Sequence, residues 1–205
     1  MPDQSVIFEE HNTSGGKKIG VARLNQPRSL NALSLKMIRL LKPQLERWQD
    51  DNDIAAVWLE GEGDKAFCAG GDVVFLYESM IYEDRINDGV SFFTEEYELD
   101  HLIHRYRKPV VVWGNGFVMG GGLGLMSGAS HRVATEGSRI AMPEITIGLY
   151  PDVGGSWFLG RMPGRIGLFV GLTGMHLNAN DARFVGLADR CVQHGLRDTV
   201  MEAIT

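Results

Sequence analysis

Hydrophobic and polar positions along the chain alternate between a strand-like and a helix-like pattern. "KKIGVARLN", residues 17–25, sets Ile19, Val21 and Leu24 in a short run that predicts a strand ending at "QPRS". Ser34 then caps a predicted helix whose apolar residues Met37, Ile38, Leu41, Leu45 and Trp48 recur at helical spacing. "IAAVWLEG", Ile54–Gly61, reads as a short buried strand leading through the turn "EGDK" into "AFCAGGD". A helix is predicted from Val73 to about Met80. A longer one runs over "VSFFTEEYELDHLIHRYR", with Phe92, Tyr97, Leu99, Leu102, Ile103 and Tyr106 as its buried stripe. "KPVVVWGNG" is the clearest strand, entered at a proline and stopped at a glycine. It opens into "FVMGGGLGLMSGAS", a glycine-rich turn before a helix of small residues. "HRVAT" is another strand. "GRIGLFVGLTG" and "NANDARFVGLADR" both read as helical, the second capped by Asn178 or Asn180, and "GLRDTVMEAIT" reads as an unfinished helix. Strands alternating with helices predict an α/β fold with largely parallel strands and no internal linker.

Composition narrows the function classes. The chain of 205 residues is long enough to bury a core, and its 26 glycines, neither periodic nor low in complexity, argue for tight turns and close backbone approaches. A formal net charge of −6 makes nucleic acid an unsuitable main partner, because phosphate contacts need clustered Lys and Arg. A small anion remains open, since a few local cations or backbone amides can hold one. The cysteines, Cys68 and Cys191, lie far apart and outside any CxxC pattern, which fits reduced thiols. No apolar run approaches the ~20 residues of a membrane helix. "MPDQSVIFEEHN" has no cationic segment before an apolar one and is acidic, so the expectation is a cytoplasmic protein without a signal or transit peptide.

Two glycine-rich stretches follow strands: "FCAGGD" (67–72) and "GNGFVMGGGLG" (114–124). Neither is a nucleotide loop. Met119 stands where the dinucleotide fingerprint needs glycine, and no GK[ST] occurs. A glycine run at the start of a helix leaves backbone N–H groups unpaired, and these stabilise negative charge on an oxygen. Taken singly, each stretch reads as close packing. Taken together, with acids downstream, they read as an anion site.

Those acids sit in "MPEITIGLYPDVGG", 142–155, where Glu144 and Asp152 each follow a proline in apolar surroundings. Burial disfavours the charged carboxylate and raises its pKa, which suits a base, acid or nucleophile near neutral pH. The plain alternatives are a helix-start acid for Glu144 and a turn residue for Asp152, and the residues alone leave both readings open. Glu98, His101 and His104 recur three apart as a candidate metal face, for which a solvated face is the better reading. Cys68 reads as a buried small thiol.

"KAFCAGGD", "KPVVVWGNGFVMGGGLGL" and "AMPEITIGLYPDVGGSWFLGR", in that order, resemble the crotonase superfamily, the enoyl-CoA hydratase/isomerase family, over about residues 17–190. Within it they are most similar to the 3-hydroxyisobutyryl-CoA hydrolase branch. The resemblance implies a crotonase-like spiral of ββα units, with residues 1–205 as one domain lacking the C-terminal helical region of full-length members. It implies an oxyanion hole from the amides of Ala69 and Gly121, catalytic roles for Glu144 and Asp152, and substrate contacts from Glu96, Gly70, Gly71, Asp72 and Gly120. The hydrolase branch is favoured because hydratases carry a first glutamate where this chain has Gly124, and commonly show proline–glycine where it has Pro151-Asp152. The implied activity is hydrolysis of a short 3-hydroxyacyl-CoA, as in valine catabolism, with a homo-oligomer as a family expectation. Coenzyme A belongs to the substrate, so no separate cofactor and no metal are expected. The rival readings are an enoyl-CoA hydratase or isomerase using Glu144 alone, and a non-catalytic acyl-CoA or RNA-binding homologue. The acidic charge balance opposes RNA.

Overall fold

The computed structural model describes residues 4–205. The chain opens with β1 (Val6–Asn12) and β2 (Lys18–Leu24), followed by α1 (Leu35–Asp50). Three strand pairs come next: β3 (Ile54–Gly61) with β4 (Ala66–Cys68), β5 (Val110–Gly114) with β6 (Phe117–Met119), and β7 (His131–Ala134) with β8 (Arg139–Ala141). Between the first two pairs lie α2 (Val73–Ile81) and α3 (Ile86–His104), and α4 (Gly121–Gly128) follows the second. After β8 come α5 (Gly155–Leu159), α6 (Ile166–Thr173), α7 (Ala179–Phe184), β9 (Arg190–Cys191) and α8 (Arg197–Ile204).

Each pair gives its first strand to one sheet and its second to another. The larger sheet runs β1-β2-β3-β5-β7-β9 and the smaller β4-β6-β8. All pairings are parallel except β1 with β2. Repeating the pair and following it by helix winds the chain into the expected spiral. Side-chain alternation along β3 shows why the large sheet is sandwiched. Val57 and Leu59 join the main core under α1, whereas Trp58 faces the other way, stacked on Trp113 at 5.5 Å and covered by Met201 of α8.

Some expectations hold and others shift. Ser34 caps α1 by accepting from the Met37 amide, and Asn178 rather than Asn180 caps α7 in a reciprocal box with Asp181. "NANDARFVGLADR" is helical only to Phe184: Gly186 turns the chain at φ 83°, and Arg190–Cys191 joins the sheet edge beside β7. β1, read only for targeting signals, is a strand, and the small sheet's three-residue strands are too short to carry a period. In α3 the buried residues are Phe92, Glu96, Leu99 and Ile103, so Tyr97 leaves the predicted stripe and is 38% exposed. No helix of the described residues is long and apolar enough to cross a membrane.

Candidate active site

The small sheet brings the two glycine stretches together. β4 and β6 are parallel neighbours, so "AGG" after Cys68 and "GGG" after Met119 leave the sheet side by side. Leu33 then settles which amide is available. Its N–H donates to Gly70 O at 2.8 Å and its carbonyl accepts from Asp72 N at 2.9 Å, a parallel bridge centred on Gly71. In such a bridge the central residue's own N–H points to the opposite side. That side is occupied by Gly121, where an added Cβ would lie 3.5 Å from Gly71 N. Gly120 turns the chain into α4 at φ 47°, ψ −122°, a conformation suited to glycine, and leaves the Gly121 amide at the open end of the helix. Neither the Gly71 nor the Gly121 amide has an acceptor among the described residues.

The expectation for Ala69 is therefore corrected. Its N–H donates to Leu30 O at 3.1 Å and holds the 27–31 turn against this loop, so it is not free to hold a substrate oxygen. Asp72 is also corrected as a substrate contact. Its carboxylate accepts from Phe75 N at 3.1 Å as the cap of α2, and it does not line the cavity formed by the others. That cavity, about 150 Å³, is lined by Ala69, Gly70 and Gly71 from one stretch, Gly120 and Gly121 from the other, and the acids Glu96, Glu144 and Asp152.

The acids stand in distinct surroundings. Glu144 is the first residue of a 3-10 turn, Glu144–Ile147, placed by Pro143 and closed by Gly148 at φ 75°. Its side chain is buried against Gly120, its Oε2 has no partner among the described residues, and burial raises its pKa to about 7, helped by the charge of Asp152. Asp152 accepts a 2.8 Å hydrogen bond from the Tyr97 hydroxyl, which opposes the upward push of burial on its pKa. Glu96 is 2% exposed and pushed up to about 8 by burial, then by Asp152 and Glu144. One turn along α3, Asp100 is held well above the ordinary carboxylate range by burial and by Glu96 and Asp152, with neither oxygen partnered among the described residues. These groups titrate as a coupled set.

Gly124 lies one helical turn beyond Gly121. A Cβ there would meet Val153 Cβ at 2.6 Å and Asp100 Oδ2 at 3.0 Å, so the position has no room for a carboxylate side chain. The Glu98, His101 and His104 face is split: Glu98 pairs with Lys42 of α1, while His104 packs its ring edge-on to Trp157 of α5. No group of three His, Cys, Asp or Glu side chains among the described residues is arranged to hold a metal ion. Cys68 is buried with its thiol pushed up to about 12 by desolvation, which leaves it a poor nucleophile. Sequence reasoning missed Tyr97 and Asp100. Their spacing from Glu96 puts them on adjacent faces of one helix, but only the docking of α3 beside α4 brings them to the acids.

Two unpaired amides opposite a carboxylate titrating near neutrality can stabilise an oxyanion at an acyl carbon and attack, or activate water against, that carbon. The comparisons bear on the family. A family model described as "Enoyl-CoA hydratase/isomerase" matches residues 19–205. The chain is 48% identical over 188 residues to "3-hydroxyisobutyryl-CoA hydrolase, mitochondrial" of Danio rerio, covering 92% of this chain and 47% of that protein. It is 44% identical to the human protein of the same name, covering 84% of this chain and 44% of the relative. The chain thus spans about half the length of these curated relatives. Among solved structures, an enoyl-CoA hydratase from Rhodobacter sphaeroides superposes with a TM-score of 0.91 at 38% identity, covering 97% of this chain and 57% of that one. A carnitinyl-CoA dehydratase from Mycobacterium thermoresistibile superposes with the same score and identity, over 98% and 57%. From its strand-pair spiral, its facing glycine stretches and these matches, the chain belongs to the enoyl-CoA hydratase/isomerase family.

Proposed function

We propose that this chain carries the reacting groups of an acyl-CoA thioester hydrolase acting on a short 3-hydroxyacyl-CoA such as 3-hydroxyisobutyryl-CoA. The observation that carries the reading is the facing pair of free amides, Gly71 and Gly121, in one cavity with Glu144 and Asp152. The name shared by the Danio and human relatives supports the substrate.

In this reading the Gly71 and Gly121 amides hold the thioester oxygen as it gains charge. Glu144 attacks the acyl carbon, or takes the proton of the water that does. The carbon–sulfur bond breaks and the sulfur leaves as coenzyme A thiol with a proton originating from water. Where Glu144 attacks, water then cleaves the resulting Glu144–acyl anhydride at the acyl carbon and frees the carboxylate, so by either route the acyl carbon ends with the oxygen of water. Asp152, steadied by Tyr97, orients the 3-hydroxyl or the hydrolytic water. Glu96 lies against Gly121, at 2.3 Å from where a Cβ would stand, and limits the acyl side of the cavity. The bond from Ala69 to Leu30 ties the 27–31 turn to the Ala69–Gly71 loop, and a groove of about 380 Å³ beside that turn is lined by Arg28 and Lys65 together with Glu62 and Asp64. Coenzyme A belongs to the substrate, and no further cofactor is invoked. We place the reaction in valine breakdown and the chain, as a homo-oligomer, in the cytoplasm. The relatives' names assign those proteins to mitochondria.

The second reading, a hydratase or isomerase, draws support from the superposed enoyl-CoA hydratase and carnitinyl-CoA dehydratase. The lack of room for a carboxylate side chain at Gly124 speaks against a two-carboxylate hydratase. Single-turnover release of coenzyme A from 3-hydroxyisobutyryl-CoA, beside 3-hydroxypropionyl-CoA and crotonyl-CoA, decides between them. Release of free thiol from the hydroxyacyl substrates supports the hydrolase. Double-bond chemistry on crotonyl-CoA without thiol release ends that reading.

A further inference from the structure

Three elements each contribute neighbouring residues to two different cavities. On α3, Glu96 lines the site cavity while Tyr97 and Asp100 line a second one of about 230 Å³. On α4, Gly121 lines the first and Gly124 the second. In the turn after Pro151, Asp152 lines the first and Val153 the second. The cavities are therefore back to back. Between them stand the Tyr97–Asp152 hydrogen bond and, on the side of the second cavity, the side chain of Val153.

Val153 is held there against its own backbone preference. Its φ is +41°, a region that β-branched residues rarely occupy and that is strained where it is imposed. It is 4% exposed, and its isopropyl group seats directly on bare helix, 2.6 Å from where a Cβ of Gly124 would stand. Gly154 follows at φ 83°. A strained, buried residue maintained by packing on both sides is a place to look for function. Behind it the apolar part of the second cavity is walled by Val153, Trp157, Phe158 and the ring of Tyr97, surfaces that suit an alkyl chain, beside the buried carboxyl of Asp100 and the two histidines of α3.

We infer that Val153 sets the acyl-chain length of the site: its side chain closes the first cavity to all but short acyl groups, and the cavity behind it is an alkyl-chain site that a medium-length acyl group fills once the wedge is removed. The inference rests on the thioester reading for its substrate, but its geometry is tested by binding alone.

Glycine suits the backbone at this position, so Val153→Gly removes the wedge and relieves the strain together, whereas Val153→Ala trims the wedge and keeps the strain. The probes are non-hydrolysable thioethers, S-ethyl-CoA and S-hexyl-CoA, measured by calorimetry on the 205-residue chain. The unaltered chain is expected to favour the ethyl thioether. In Val153→Gly the hexyl-to-ethyl affinity ratio rises by at least about tenfold, the order of a methylene or two in a fitted pocket, and Val153→Ala moves it in the same direction by less. A parallel shift in kcat/KM from 3-hydroxyisobutyryl-CoA towards hexanoyl-CoA is expected. An unchanged ratio in both variants, or equal binding of the two thioethers by the unaltered chain, overturns the inference. A shifted binding ratio without hydrolysis of any thioester upholds Val153 and overturns the hydrolase reading instead.

Discussion

Tyr97 and Asp152, 55 positions apart, are joined by a 2.8 Å hydrogen bond from the phenol to the carboxylate Oδ2. The bond ties α3 to the turn that carries the second acid and lowers an Asp152 pKa that burial alone would push higher. Tyr97→Phe removes the donor and leaves the ring. The pH–rate profile of coenzyme A release should shift its acid limb to higher pH, with kcat down about tenfold, the net worth of one hydrogen bond to a charged group. Because Tyr97 is 38% exposed, the melting temperature should change little. A rate loss with an unmoved pH profile would show that the bond does not set the state of Asp152.

Burial raises the Glu144 pKa to about 7, and in the proposed hydrolysis its ionised form is the reactive one. Turnover should therefore rise with pH through neutrality and level off above it. Glu144→Gln keeps the shape, removes the base, and should lower kcat about 10²–10⁴-fold with acyl-CoA binding retained. Full activity in that variant would remove Glu144 from the chemistry.

The two candidate amides after Cys68 are separable by backbone chemistry. Replacing the peptide N–H of Gly71 by an ester oxygen through protein ligation deletes one oxyanion donor and should cost about 10²–10³ in kcat. The same replacement at Ala69 breaks its 3.1 Å bond to Leu30 and should act on stability before rate. The reverse ranking in stopped-flow measurements would restore Ala69 as the donor.

Stability should fall as pH rises across the neutral range. Glu144 and Glu96 titrate at about 7 and about 8 in the fold, against an ordinary value of 4.5. Between those values the folded chain binds more protons than the unfolded one, so deprotonation favours unfolding. Urea midpoints should therefore decrease from about pH 5 to pH 8. Glu96→Gln, which stays neutral, should flatten that slope. A midpoint that climbs over this interval would show that these acids are not buried as described.

The sequence carried the fold class through patterns that need no partners. The helical spacing from Met37 to Trp48, the strands at Ile54–Gly61 and Val110–Gly114, and the Ser34 cap were all legible, because period and capping are local properties. Glu144 and Asp152 stood out for a similar reason, each pinned by a preceding proline in apolar company. The small sheet did not, since β4, β6 and β8 have three residues each and exist by pairing. Nor did the partners of the acids: Tyr97 reads as one more apolar residue in its helix until α3 is docked.

By itself the chain's order of residues determined where the glycines and acids lie and that strand and helix would alternate, because backbone freedom and side-chain period are written one residue at a time. Which amide is free was decided only by tertiary structure. Ala69 and Gly71 are near neighbours in the same glycine-rich loop, and Leu30 and Leu33 select between them, occupying one N–H and turning the other toward Gly121. An amide's availability depends on what accepts from it, and that acceptor comes from a segment more than thirty residues away.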